Sequence, residues 1–174
     1  MKIKMCYGMT LIELVCAIAV LAIITSIALP HYHSLRAKQE AQYIPTILHQ
    51  YLSQAKYLAL THRNNLVICS SKDLKNCEQD AWNHGFILFL DSNQNKIRDN
   101  NELILAQHTT HLNYGTLSWR GSLRLPSITF QGDTGLPRGS MGSFYYCSSQ
   151  LDVQHRVVLN MLGNIRKESD SNKC

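Results

Sequence analysis

Eight histidines, six cysteines and twelve acidic residues are the side chains with which this chain could do chemistry. Their spacing narrows the choice. His31 and His33 lie two apart, which sends them to different faces of a helix, and His108 and His111 lie three apart, which does not align them on a strand. No serine or cysteine nucleophile motif accompanies them, so no enzyme is expected and no cofactor is called for. Cys69, Cys77, Cys147 and Cys174 form an even set apart from Cys6 and Cys16. No CxxC pair or Cys–His spacing suggests a metal. In an oxidising compartment the four could form two disulfides, with three connectivities open. Asp91, Asn93, Asn95, Asp99 and Glu102 place oxygen ligands at positions one, three, five, nine and twelve of a loop, as calcium prefers. Lys96, however, stands where such a loop turns on glycine, and the flanks read as strands. A polar turn is the expectation there, with calcium the weaker alternative.

The most unusual acid is Glu13. It lies inside a nearly uninterrupted apolar run from Met9 to Leu29, long enough to span a bilayer as one helix. An ionised acid in hydrocarbon costs of order 2–3 kcal/mol, and such acids usually have a partner. Cleavage of a signal, if it occurs, should precede the run, because the run continues through Ala28-Leu29-Pro30 into further helix-compatible sequence. Cutting after Gly8 would create an amine on Met9 one helical turn from Glu13. Between packed helices, that charge pair could set their axial stagger.

The elements that position these residues follow from pattern. At 174 residues the chain suits one compact domain plus an extension. Past Pro30, apolar residues Ala41, Ile44, Leu48, Tyr51, Leu52, Ala55, Leu58 and Ala59 recur at helical spacing. Arg36, Lys38, Glu40, Gln54 and Lys56 supply the polar surface. Pro30 and Pro45 are expected to bend the helix or loosen a turn, and the helix should stop near His62–Asn65. Six short β-like runs follow, at 66–69, 86–90, 103–105, 127–130, 143–147 and 156–159, separated by Gly, Pro, Asn and Asp clusters. The predicted fold is α+β: a long N-terminal transmembrane and amphipathic helix packed on a mostly antiparallel, sandwich-like β head.

Gly8-Met9-Thr10-Leu11-Ile12-Glu13-Leu14 resembles the class III signal of type IV pilins and type II secretion pseudopilins. Met9 departs from the usual phenylalanine, and Lys2 and Lys4 match the short basic leader. The head resembles, more narrowly, the GspH/FimT minor pilins and pseudopilins. The resemblance rests on Val67-Ile68-Cys69-Ser70-Ser71 with Cys77, on Trp82-Asn83-His84-Gly85-Phe86 running to Asp91, and on the closing strands from Ile128 to Leu159. It implies cleavage after Gly8 by a prepilin peptidase, N-methylation at Met9 and an assembly role for Glu13. It also implies local pairing of Cys69 with Cys77, which leaves Cys147 and Cys174 to pin the tail.

The implied organisation is a leader at 1–8, an assembly helix at 9–29, its amphipathic continuation at 30–63 and a head at 64–174. The implied protein is a single-pass inner-membrane subunit with its head outside the cytoplasm, built with other pilins into a type IV pilus or a type II secretion pseudopilus. The alternative is a DNA-binding subunit for natural transformation. The net charge of +5 permits anionic partners without demanding them. Arg120, Arg124, Arg138, Arg156, Arg166 and Lys167 are candidate phosphate contacts. DNA-binding relatives carry Gly-Arg-x-Arg near the C-terminus. Gly163-Asn164-Ile165-Arg166 keeps one of those arginines, with Lys167 as a candidate replacement for the other, so the DNA contacts expected are Arg156, Arg166 and Lys167.

Overall fold

The computed structural model describes residues 10–151 and 153–170. One α-helix, α1 (Leu11–His62), is followed by β1 (Asn65–Ser70), β2 (Gly85–Asp91), β3 (Ile104–Thr109), β4 (Gly115–Gly121), a 3₁₀ turn at Ser122–Arg124, β5 (Ser127–Phe130), β6 (Gly142–Ser148), β7 (Gln154–Leu159) and β8 (Ile165–Asp170). The chain divides into two compact units between Arg36 and Ala37. In the described part of the first unit, the large apolar side chains from Leu11 to Leu35 are exposed.

In the second unit, α1 buries Ala37, Ala41, Ile44, Pro45, Leu48, Leu52, Ala55 and Ala59, a stripe at three- and four-residue spacing. The helix runs on through Pro45, whose missing N–H leaves the Ala41 carbonyl without its usual donor. It ends at His62, where Arg63 takes a left-handed φ of 49°.

Two four-stranded antiparallel sheets complete this unit, in the orders β3-β2-β1-β5 and β4-β6-β7-β8. Their inner faces and the helix stripe share one core. Ile44, Leu48, Leu52, Leu66, Ile68, Trp82, Phe86, Ile128, Phe130, Phe144 and Tyr146 are all buried in it. Trp82 and Trp119 pack on the Phe144 ring at 4.8 and 4.6 Å between centroids, arrangements that add to the area they bury. A second small cluster of Val67, Cys69, Ile87 and Phe89 covers the other face of the first sheet. Both faces of β1 and β2 are therefore buried, which is why these two strands read as continuous apolar runs.

Two strands lie outside the six expected runs. β4, Gly-Thr-Leu-Ser-Trp-Arg-Gly, alternates exposed and buried positions along a sheet edge. β8, Ile-Arg-Lys-Glu-Ser-Asp, is a polar edge strand held by its ladder to β7. Glu40 also differs from expectation. It is half-buried, and its carboxylate accepts the Asn113 and Tyr114 N–H groups at 2.9 and 3.1 Å and the Tyr146 hydroxyl at 2.8 Å. An acid on the polar edge of the helix thus ties α1 to the β3–β4 connection and to the core tyrosine.

Candidate functional site

Gly8 and Met9 lie outside the described residues, so the site begins at Thr10. The Thr10 N–H and hydroxyl both donate to Glu13 Oε2 at 2.8 Å, and the Glu13 N–H returns to the Thr10 hydroxyl at 3.4 Å. This is a reciprocal capping box: threonine and the acid three residues on satisfy helix-end N–H groups that have no intrahelical acceptor. Glu13 therefore has a local partner even in a single chain. Beyond it, α1 is long and apolar enough to cross a membrane, and Cys16 on this segment is a free, exposed thiol. Thr25 and Ser26 return their hydroxyls to the carbonyls of Leu21 and Ile23, which removes two donors from an apolar surface.

Cys69 and Cys77 are joined by a disulfide. The loop between them is organised by Asp73, whose carboxylate accepts the N–H groups of Asn76 and Lys75, the Asn76 side-chain amide and the Ser71 hydroxyl. The Asn76 N–H, more than any other contact, holds the Asp73 carboxyl well below the usual range. Cys147 is also disulfide-bonded, and Cys174 lies outside the described residues.

The Asp91–Glu102 loop is closed by its own side chains. Asp91 is fully buried and accepts the N–H groups of Asn95 and Lys96. Glu102 accepts those of Ser92 and Asp99, and Asp99 accepts the side-chain amides of Asn93 and Asn95. Gln94 and Lys96 both take left-handed φ values of 61°, so the sharp turn forms without glycine. Among the described residues no group of three or more His, Cys, Asp and Glu side chains is placed to hold a metal ion. Each carboxylate here already receives N–H donors, which is what a structural hairpin loop needs.

The basic residues separate by strand register. Cross-strand partners share a face of the sheet, and the ladders align Arg120, Ser143, Val158 and Arg166 in one row, with Ser118, Tyr145, Arg156 and Glu168 in the next. These rows face away from the core. The guanidinium carbons of Arg120 and Arg156 lie 4.7 and 5.4 Å from the Tyr145 ring centroid, cation–π contacts that fix both cations across the sheet. Arg156 also donates to the Ser143 hydroxyl at 3.1 Å. Arg156 and Arg166 both approach Glu168, at 3.6 and 3.8 Å.

Lys167 falls in the core-facing row with Trp119, Phe144 and Val157. Its amine donates to Thr46 on α1 at 3.1 Å, away from the arginines. Arg138 lies by Arg63 and Gln131 at a different surface, and Arg124 occupies the turn after β4. Arg120 is the residue that sequence reasoning left undistinguished. With β4 recognised, its two-residue alternation with Trp119 inside would have placed it on the arginine face.

The family model for type II transport protein GspH matches residues 48–163, two thirds of the chain, and the prokaryotic N-terminal methylation motif matches residues 3–29. Among curated proteins none matches. The fold is similar to that of the type IV minor pilin FimU of Pseudomonas aeruginosa, at 19% identity over 77% of this chain and 91% of that one, with a TM-score of 0.56. It is also similar to that of the minor pseudopilin EpsH from the type 2 secretion system of Vibrio cholerae, at 14% identity over 75% and 97%, with a TM-score of 0.51. An α+β pilin fold, a methylation motif and a head matched from helix to last turn converge on one assignment: the chain belongs to the type II transport protein GspH family.

Proposed function

We propose that this chain is a minor pilin or pseudopilin, a structural subunit of a type IV pilus or a type II secretion pseudopilus. The observation that carries the reading is Glu13. It is the one Asp, Glu, Lys or Arg between Thr10 and Leu35, set in the first turn of an exposed apolar helix and inside the matched methylation motif. In this reading, residues 1–8 are a leader removed by prepilin peptidase, and Met9 becomes the methylated terminus. Residues 9–29 hold the subunit in the inner membrane and later in the filament, with Lys2 and Lys4 on the cytoplasmic side and the 64–174 head outside. Leaving the membrane exposes a large apolar surface, so the helix moves only into other apolar helices. There Glu13 exchanges its Thr10 contacts for the terminal amine of a neighbouring subunit.

The test is the mass of the mature N-terminus together with filament incorporation. The expected results are a chain starting at Met9 carrying one methyl group, and a Glu13→Leu chain that is processed but left in the membrane fraction. A chain that stays full-length beside an active peptidase, or a Glu13→Leu chain that enters filaments normally, overturns the reading.

One arrangement favours a second role, DNA binding. Arg120, Tyr145 and Arg156 combine fixed cations with an aromatic ring on an outward sheet face, a combination suited to a phosphate backbone and its bases. In this reading its contacts are Arg120, Arg156 and Arg166 on that face, while Lys167 directs its amine to Thr46.

A further inference from the structure

The arginines on the outward face of the second sheet share it with a carboxylate. Arg156 and Glu168 are cross-strand partners on β7 and β8, and Arg166 lies two residues before Glu168 on the same strand, so the three side chains share one face. Glu168 is the one acid in the two rows that also hold Arg120 and Tyr145. Its oxygens are divided between the cations. Oε2 lies 3.6 Å from Arg156 Nη1, and Oε1 lies 3.8 Å from Arg166 Nη2. Two oxygens of one anion, each turned to a different guanidinium, form the arrangement that the free oxygens of a phosphodiester would take.

Glu168 can act on an incoming phosphate in two opposed ways. It can hold the arginines ready, or it can keep the phosphate out. The contacts decide between them. Both are longer than a hydrogen bond, and the Arg156 and Arg166 side chains are 41% and 70% exposed, so pairs of this kind fix little. Arg156 has firmer holders in the Tyr145 ring and in Ser143, whose hydroxyl accepts its Nε–H at 3.1 Å. Positioning by Glu168 is therefore a small contribution. Its carboxylate, by contrast, meets a phosphate as like charge against like charge. Exclusion outweighs positioning.

We propose that Glu168 is an internal competitor for phosphate, which occupies the fork between Arg156 and Arg166 and holds down the affinity of this face for DNA. The inference rests on the DNA-binding reading of the same face. Because the two ion pairs are long and exposed, a phosphate backbone displaces the carboxylate at modest cost, and the face is weakened without being shut.

The test is binding of a short labelled DNA duplex at low salt by the full-length chain in a non-ionic detergent. Glu168→Gln removes the carboxylate, and Glu78→Gln makes the same change of net charge beside Lys72, on the β1–β2 connection. The expected result is an affinity about three- to tenfold higher for Glu168→Gln, as the loss of two exposed pairs implies, with a smaller gain for Glu78→Gln. In an Arg166→Ala background the Glu168→Gln gain should shrink at least twofold, because one of the cations it frees is gone. All of these side chains are partly exposed, so the variants should keep the parent's melting temperature. If the parent binds but Glu168→Gln binds no tighter, gains no more than Glu78→Gln, or keeps its whole gain without Arg166, the proposal is overturned and DNA binding stands. If parent and Glu168→Gln alike fail to bind, the DNA reading falls and the proposal with it.

Discussion

Glu40 shows how much one side chain can decide. It accepts three donors, two of them main-chain N–H groups on the β3–β4 connection and one the hydroxyl of buried Tyr146. Burial, and after it the neighbouring Glu40 carboxylate, pushes the Tyr146 phenol well above the usual tyrosine range. The hydroxyl therefore stays protonated and keeps donating. Replacing Glu40 by alanine removes the acceptor of the part-buried Tyr114 N–H and Tyr146 hydroxyl, at a cost of about 1–3 kcal/mol. Urea unfolding of Glu40→Ala should show a lower midpoint at unchanged slope. An unaltered midpoint would mean that solvent satisfies these groups. The Tyr146 contribution is fully present below the unfolded tyrosine value near pH 10 and is lost as pH rises toward the folded value, because the unfolded chain gives up its proton first. Wild-type stability should thus fall above about pH 10, and less so in Tyr146→Phe. In sequence, Glu40 reads as helix surface. Nothing local reveals the loop that folds down onto it from 73 residues away.

At the scale of elements, legibility tracked burial. β1 and β2 are covered on both faces and announced themselves as apolar runs, and the α1 stripe showed its helical period through a long series of alanines, leucines and an isoleucine. The edge strands β4 and β8 take their identity from ladder hydrogen bonds to β6 and β7, which leave little trace in composition. β8 also decides which way the basic residues point: adjacent residues of a strand face opposite ways, so Lys167 reaches Thr46 on α1 while Arg166 lies in the row with Arg120.

The first sheet makes two measurable demands. The Cys69–Cys77 link, eight residues apart, closes a loop worth roughly 2.5 kcal/mol in chain entropy. The paired Cys69→Ser, Cys77→Ser variant should lose about that much in urea unfolding, and an equal midpoint would show that Asp73 orders the loop unaided. His108 on β3 packs against Tyr51 and Phe86 at 5.2 and 5.3 Å between centroids, and its Nε2 is buried without a hydrogen-bond partner. Burial lowers its pKa, and that of His155, below the ordinary value. The stability this neutral form contributes is present above about pH 6.5 and is lost as pH falls, since the unfolded chain takes up protons first. Midpoints should decline from about pH 7.5 to 5, and His108→Gln should flatten that decline. A slope unchanged by the substitution would place the titration elsewhere.

For the whole molecule, two requirements fall on different lengths of chain. Residues from Thr10 to Leu35 expose apolar surface that only lipid or other helices can cover, while the Ala37–Asp170 region carries its own core and displays an arginine face. Filament membership draws on the first, and any recognition of DNA on the second, so the two can be separated by experiment. If the face formed by Arg120, Arg156 and Arg166 meets a phosphate backbone, binding must weaken with salt. The logarithmic slope should be roughly −2 to −3 for three neutralised phosphates, less whatever Glu168 offsets. Arg156→Ala removes a cation that Tyr145 and Ser143 hold in place, and should lower affinity alike for all sequences and reduce the slope by about 0.7–0.9. Lys167→Ala, which loses only a contact to Thr46, should change neither. Because Glu13→Leu leaves this face intact, a Glu13→Leu chain should bind DNA as its parent does while failing to enter filaments. A slope near zero, or equal losses from Arg156→Ala and Lys167→Ala, would leave the arginine face as solvated surface and the chain with its filament role alone.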